Sequence, residues 1–334
     1  MTITRKRAAE LLKQCEGKRI LVIGDLMIDR YIMGSVSRIS PEAPVPVVHV
    51  HKEKAVPGGA SNVALNIGSL RGQGGVAGVM GDDADGRELA ELLGRRGVGT
   101  TAAVIDEAIR TTVKTRVIAE RQQVVRIDWE DSFEYSASSL SRLEQRLEEE
   151  IGASDGVILE DYGKGVIIQD VVDIAIAAAR RKGVPIGLDP KDNHILNVEG
   201  ITLATPNRKE AFSAAGVPET RPAGHPLEDA AVLKVGDILL DKWKPELLMI
   251  TLGGDGMLLL QRGKKPIHVP TRAREVFDVS GAGDTVIATC VLACAAGASF
   301  VEAAEIANYA AGVVVGKLGT ATCTPEELLA SMPE

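Results

Sequence analysis

The sequence predicts an α/β fold, with a central and mostly parallel sheet flanked by helices and a small second β-sheet acting as a lid. Three observations carry that expectation. Short apolar runs alternate with helical patterns through most of the chain, the rhythm of strands joined by helical crossovers. The 334 residues are 45% hydrophobic and 25% charged without biased tracts, enough for a full core. Two stretches then break the rhythm, one proline-rich with β-branched alternation and one alternating with period two.

In order along the chain, Lys18 to Gly24 (KRILVIG) reads as a buried first strand, Gly58 to Leu70 as a helix and Gly75 to Met80 as a second strand. A helix over Asp85 to Arg96 follows. Strands over Gly156 to Leu159, Val184 to Leu188, Ile201 to Ala204 and Leu247 to Thr251 continue the series. Helices near Gln169 to Lys182, Asn207 to Ala215 and Glu228 to Lys242 separate them. Apolar helices over Asp284 to Ala296 and Phe300 to Gly316 come next. Thr324-Pro325-Glu326-Glu327 then supplies an N-cap, a proline at the first helical position and a capping glutamate.

The first interruption, Tyr31 to His51, carries three prolines and alternating β-branched residues, which suits strands outside a central parallel sheet. The second, Thr111 to Trp129, alternates with period two like a solvated hairpin. Together they form either a lid over a cleft, with segments near 30–51 and 111–129, or edge strands of the main sheet. No repeat or flexible linker divides the chain, so residues 1–334 read as one principal domain.

Composition excludes several classes. A formal charge of −8 offers no basic footprint for nucleic acid or anionic lipid, so the expected ligands are small molecules. Cys15, Cys290, Cys294 and Cys323 show no C-x-x-C spacing, and Cys290 with Cys294 fits buried thiols on an apolar helix. The N-terminus lacks the apolar stretch of a signal peptide, and no segment offers about 18 uninterrupted apolar residues, so the expected location is the cytoplasm. His49, His51, His194, His225 and His268 are scattered and form no metal or catalytic motif.

The segment richest in chemistry is Asp278 to Thr285, DVSGAGDT, expected to run from the end of a polar strand into an apolar helix beginning near Gly283. Gly281 and Gly283, with only Ala282 between them, let backbone N–H groups point outward at a helix N-terminus. Free amides and the positive end of the helix dipole there can hold the charge of a transferring phosphoryl group. Asp284 in that first turn can stay ionised and accept a hydroxyl proton. It can equally be an ordinary acidic residue at a helix start.

DVSGAGDT resembles the C-terminal signature of the ribokinase, or PfkB, family of carbohydrate kinases, and Pro57 to Ala64, PGGASNVA, is similar to the N-terminal glycine signature of that family. Asn207-Arg208-Lys209-Glu210 resembles its N-x-x-E motif, and Thr251 to Gly256, TLGGDG, its T-x-G-x-x-G loop. The resemblance spans residues 18 to 330. It implies a ribokinase-like fold, ATP and Mg2+ as cofactors, Asp284 as catalytic base and Gly281, Ala282 and Gly283 as the anion hole. Asn207 and Glu210 would then act near the phosphates, Glu210 holding Mg2+ through water. Thr251, Gly253 and Gly256 would line the nucleotide and Asn308 its adenine side. Asp25, Asp29, Gly58, Gly59 and Asn62 would meet the sugar. Each also has a structural reading: Asn207 and Glu210 as a helix cap and a surface charge, the glycines as a tight turn, Asn308 as a buried helix hydrogen-bonder.

Val36 to Val48, VSRISPEAPVPVV, narrows the resemblance to the branch of the family that phosphorylates D-glycero-β-D-manno-heptose 7-phosphate at its anomeric hydroxyl. Gly24 to Tyr31 (GDLMIDRY), Asp161 to Gly165 (DYGKG), Asp189-Pro190-Lys191 and Gly312 to Thr320 (GVVVGKLGT) are similar to that branch as well. It implies heptose 1,7-bisphosphate as product, on the route to the ADP-heptose of lipopolysaccharide. A distal phosphate on the acceptor needs basic donors, and Arg38, Arg116, Arg126, Lys164 and Lys191 are the candidates, with Asp161 for sugar hydroxyls. Kinases of this branch are often fused to an adenylyltransferase carrying an H-x-G-H motif. No such motif occurs here, so that activity is expected on another polypeptide.

A dehydrogenase is excluded because the loose glycine match at Gly72 to Ala77 precedes a strand and does not follow one. A Walker-type kinase is excluded because no G-x-x-x-x-G-K-[ST] string occurs. A kinase for ribose, fructose 1-phosphate or another sugar, and a non-catalytic sugar sensor on the same fold, stay as rivals. A polar lid edge also suggests a homodimer whose lids pair across a two-fold axis.

Overall fold

The computed structural model describes residues 3–120, 122–131, 135–273 and 275–333. Arg121, inside the expected hairpin, lies outside them. The chain opens with α1 (Arg5–Gln14) and β1 (Arg19–Gly24), then passes into two long strands, β2 (Leu26–Ile39) and β3 (Pro46–Gly59). Next come α2 (Ala60–Ser69), β4 (Gln73–Gly81), α3 (Ala84–Arg95), β5 (Gly99–Asp106) and a hairpin of β6 (Thr112–Ala119) and β7 (Gln122–Trp129). After α4 (Ala137–Gly152) the order is β8 (Gly156–Glu160), α5 (Gln169–Lys182), β9 (Ile186–Asp189), β10 (Leu203–Ala204), α6 (Arg208–Ala215), α7 (Ala230–Trp243) and β11 (Leu247–Thr251). The chain ends through β12 (Met257–Leu260), β13 (Ile267–Val269), α8 (Ala282–Ala295), α9 (Phe300–Val314) and α10 (Pro325–Ser331).

Nine strands form the large sheet in the order β13-β12-β11-β10-β9-β8-β1-β4-β5. It is parallel from β5 to β11 and antiparallel only across β11, β12 and β13. Burial on both faces explains why its strands read as unbroken apolar runs. In β1, Ile20 and Val22 enter the core beneath α1, α2, α8 and α9, while Leu21 and Ile23 enter the one beneath α4, α5 and α7.

The sheet grows in opposite directions from β1, through β4 to β5 and through β8 to β11. Ligands of open α/β sheets lie at such a switch point, outside the carboxyl ends of the strands. Here those ends deliver Asp25 after β1, Asp161 after β8, Asp189 on β9, Asn207 beyond β10 and Thr251 on β11.

The two segments that interrupt the sequence rhythm build a separate four-stranded sheet of order β3-β2-β6-β7, not edge strands of the large one. The hairpin is less solvated than its alternation suggests: β6 buries Val113, Thr115 and Val117, and only β7 is mostly exposed. The polar strand expected before Asp278 is absent among the described residues: β13 stops at Val269, and an irregular segment leads into α8. Sequence reading passed over α1, α4, β5, β12 and β13. The terminal cap is as expected, with Glu327 N–H donating to Thr324 Oγ1 and Thr324 N–H to Glu327 Oε2.

Candidate active site

The N-terminus of α8 is built by a left-handed residue. Gly281 adopts φ +77° at the N-cap, and a Cβ there would stand 2.9 Å from Asn62 Nδ2. Among the described residues, no side chain caps this helix end. Asp278 fixes the approach, its carboxylate accepting from Ser280 N–H (2.9 Å) and Gly319 N–H (3.0 Å). One expectation needs correction. The amide of Ala282 is not held outward, because it donates to Val279 O at 3.2 Å to close the turn.

Asp284, in the first turn of α8, is buried and directed toward α2 and the loop after β8. Asn62 Nδ2 donates to its Oδ2 (2.7 Å) and Tyr162 Oη to its Oδ1 (2.9 Å). Its neighbour on α8 makes a second link, Thr285 Oγ1 donating to Asn66 Oδ1 (2.9 Å), so α2 and α8 are joined twice. Burial raises the Asp284 carboxyl above the ordinary carboxylate range, against the hydrogen bonds of Asn62 and Tyr162, which favour its ionised form.

Glu160 and Asp189 lie beside it, and carboxylate oxygens of all three fall within 4.8 Å of one another. Asp189 Oδ1 accepts from Thr205 Oγ1 (2.9 Å), while Glu160 Oε2 has no hydrogen-bond partner among the described residues. Burial, reinforced by the neighbouring carboxylates, holds both well above their ordinary values. Shifts in that direction favour the protonated form of both acids and so oppose crowding of negative charge beneath the turn.

On one side of the Gly281 turn, Thr251, Gly253, Gly256, Ala282, Gly283 and Asn308 line a single cleft of about 190 Å³. Asn308 Nδ2 donates to Pro270 O (2.7 Å), tying α9 to its wall. Asn207 pairs with Thr251 in an isolated parallel bridge, which brings α6 to the rim. Asn207 and Glu210 form a complete capping box: Glu210 N–H donates to Asn207 Oδ1 (3.0 Å) and Asn207 N–H to Glu210 Oε2 (2.8 Å). The cap expected as an alternative is therefore present. It leaves Oε1 of Glu210 available to a hydrated cation, a hard oxygen donor of the type Mg2+ takes.

On the other side stands the small sheet. Tyr31 Oη accepts from Thr320 N–H (3.1 Å), and Thr320 Cγ2 lies 3.5 Å from the Cβ position of Gly281, so this face of the sheet looks toward the turn. Register places Asp29 beside Lys114, Tyr31 beside Arg116, and Arg116 opposite Arg126 on the same face. Asp29 is buried and paired with Arg116. Its Oδ2 would be 2.7 Å from a Cβ at Gly58, so glycine is what allows the strands to close around that carboxylate. Arg126 is paired with Asp128 at 2.9 Å and Lys164 with Glu130 at 2.8 Å.

Four of the acceptor-side candidates are placed elsewhere. Asp25 does not face the cleft; buried between β1 and β2, it accepts amides of Tyr162 (3.0 Å), Lys164 (2.9 Å) and Val166 (3.1 Å). Asp161 is likewise turned inward, toward Gly163 N–H (2.8 Å) and His194 Nδ1 (2.6 Å). Lys191 borders a separate hollow with Gly163, Lys164 and His194, its ammonium 3.6 Å from Asp192. Arg38 is exposed near the far end of β2. Sequence reasoning missed Tyr162, Glu160, Asn66 and Thr320. Only Tyr162 left a signal, a hydroxyl-bearing aromatic in a glycine-flanked loop at a strand's carboxyl end.

A large sheet with its ligand clefts at a switch point, a second sheet facing a glycine turn, and a carboxylate beneath that turn define a sugar-kinase type of site. The model of the pfkB family carbohydrate kinases matches residues 18–327, and the chain belongs to that family. It is 43% identical over 325 residues to the "Bifunctional protein HldE" of Pelobacter propionicus and 46% identical over 323 residues to that of Caulobacter vibrioides. These alignments take in 97% and 96% of the chain but only 65% of each relative, so the chain spans just under two thirds of their length. Among solved structures, Arabidopsis thaliana ribokinase complexed with ribose and ATP superposes with a TM-score of 0.70 at 21% identity, over 94% of this chain and 98% of that one. The tetrameric inhibited form of Escherichia coli phosphofructokinase-2 gives 0.73 at 20% identity, over 94% and 97%. These neighbours share the fold. No helix among the described residues is long and apolar enough to cross a membrane.

Proposed function

We propose that the chain transfers the γ-phosphoryl group of ATP to the anomeric C1 hydroxyl of D-glycero-β-D-manno-heptose 7-phosphate, giving heptose 1,7-bisphosphate for ADP-heptose and lipopolysaccharide synthesis. The observation that carries the reading is the position of Asp284. Its carboxylate lies in the first turn of α8, next to Gly283 of the cleft lined by Thr251, Gly253, Gly256 and Asn308, and is held by Asn62 of α2, the helix that directly follows β3 of the small sheet. The resemblance of residues 36–48 to heptose 7-phosphate kinases and the identity with the HldE proteins support the choice of acceptor.

In this mechanism ATP occupies the cleft with its phosphates toward the amide end of α8. Asp284 accepts the proton of the C1 hydroxyl as that oxygen attacks phosphorus in line, and ADP leaves without a phosphoenzyme. Gly283 and the α8 dipole favour the charge that builds on the equatorial oxygens. Mg2+, held through water by Glu210 near Asn207, would neutralise phosphate charge. Asp29 holds sugar hydroxyls, while Arg116 and Arg126 meet the 7-phosphate. Each arginine already has a carboxylate partner, Asp29 for Arg116 and Asp128 for Arg126, and the remaining N–H donors of the two guanidinium groups suit a dianionic phosphate lying over the opposed strands.

The test is coupled ADP release over a panel of phosphorylated and free sugars. Turnover with free ribose or fructose and none with heptose 7-phosphate would sink the acceptor assignment. The four-stranded sheet acts as a lid, and we infer that its open edge pairs across a homodimer. A monomer in sedimentation at micromolar concentration rejects that assembly.

A further inference from the structure

We propose that Tyr162 is a positioning residue for Asp284, aimed by a loop that Asp25 pins from beneath, and that this contact sets the orientation of the base. The inference rests on the reading of Asp284 as proton acceptor. Neither the family signatures nor the nucleotide cleft gives Tyr162 a role, and Asp25, expected to meet the sugar, is turned to the amides of the Tyr162 loop.

A carboxylate rotates broadly about its last torsion, so one hydrogen bond leaves its plane loosely defined. Asp284 has two, from opposite directions: Asn62 on α2 to Oδ2 at 2.7 Å, and Tyr162 beyond β8 to Oδ1 at 2.9 Å. With both oxygens engaged, the plane is fixed and the remaining lone pairs are directed to the substrate. Tyrosine suits the task because two side-chain torsions determine where its hydroxyl lies.

The loop carrying Tyr162 is itself held. Asp25 receives three near-consecutive amides, from Tyr162, Lys164 and Val166, at 2.9 to 3.1 Å. Burial pushes its carboxyl up to about 6 despite those amides. A buried acid in that condition is an unfavourable element of the fold. Its return is the fixed course of residues 162–166, and through it the aim of the Tyr162 ring.

Tyr162→Phe removes the hydroxyl alone and is the variant to test. The readouts are steady-state kinetics with the acceptor that wild type turns over fastest, and a 13C NMR titration of aspartate carboxyls in which Asp284→Asn identifies the Asp284 signal. Expected are a kcat lower by about 10-fold or more, KM values within about twofold, and an Asp284 titration moved up by about one pH unit. The direction follows because the lost donor favoured the ionised form. The other groups facing Asp284, namely Asn62, Asp29, Glu160 and Asp189, are unchanged.

Melting temperatures close to wild type accompany that result. A Tyr162→Phe variant with wild-type kcat and an unmoved Asp284 titration overturns the proposal, since a ring that only fills space gives that outcome. The two readings separate cleanly. If Asp284→Asn keeps wild-type turnover, the base assignment fails. If Asp284→Asn is inactive and Tyr162→Phe is not impaired, only the positioning role fails.

Discussion

Asn62 and Asp284, 222 positions apart in sequence, are joined by a 2.7 Å hydrogen bond from amide to carboxylate. This bond makes one site of two glycine-containing motifs, and the first prediction concerns the carboxylate. Asp284→Asn should leave the fold nearly intact and lower kcat by at least about 100-fold, at the low end of general-base contributions. Single-turnover kinetics with circular dichroism as control checks it. Near-normal kcat would remove Asp284 from the chemistry.

Gly281→Ala should impair both stability and rate. The φ of +77° costs an alanine about 1–2 kcal/mol, and the new methyl would press within 2.9 Å of Asn62 Nδ2. A melting temperature lower by a few degrees is expected, together with a kcat loss larger than that destabilisation explains. A variant with wild-type kcat would show that the turn geometry is not needed for transfer.

Arg126→Ala should raise KM for a phosphorylated acceptor by about 10-fold or more, the value of one charge-assisted hydrogen bond, with no comparable change for the free sugar. Arg126 is the cleaner choice because Arg116 also holds Asp29. Equal effects on both acceptors would mean that the opposed arginines do not read the phosphate.

Glu160→Gln should flatten the dependence of stability on pH. Burial raises the folded-state value of Glu160 well above its ordinary 4.5, so its contribution is fully present below that value and is lost as pH rises toward the folded one. Thermal melts at pH 5 and pH 8 should therefore show the glutamine variant gaining on wild type at the higher pH. A constant difference would indicate that Glu160 stays ionised in the folded protein.

Much of the large sheet was legible because its strands are buried on both faces and read as unbroken apolar runs, as in RILVIG and LLMIT. Caps were equally readable, since Thr324 and Glu327, or Asn207 and Glu210, state a local bond in a local spacing. The glycine turn at 281 and the acid at 284 belong to the same class of short-range signal. What escaped depends on register between distant segments. Asp25 and Asp29 are four apart and chemically alike, yet one accepts amides beneath the sheet and the other faces Arg116, a difference that only pairing with β3 and β6 decides. Tyr162 was hidden for the same reason, because no spacing in the sequence says which carboxylate its hydroxyl will reach.

The joints of the small sheet have a mechanical consequence. A single residue, Asp25, separates β1 from β2, and no residue separates β3 from α2. With so little slack, rotation of that sheet must be absorbed at Asp25 and at the start of α2. The former anchors the loop of Tyr162 and the latter carries Asn62, so any such rotation acts as torque on both holders of the Asp284 carboxylate.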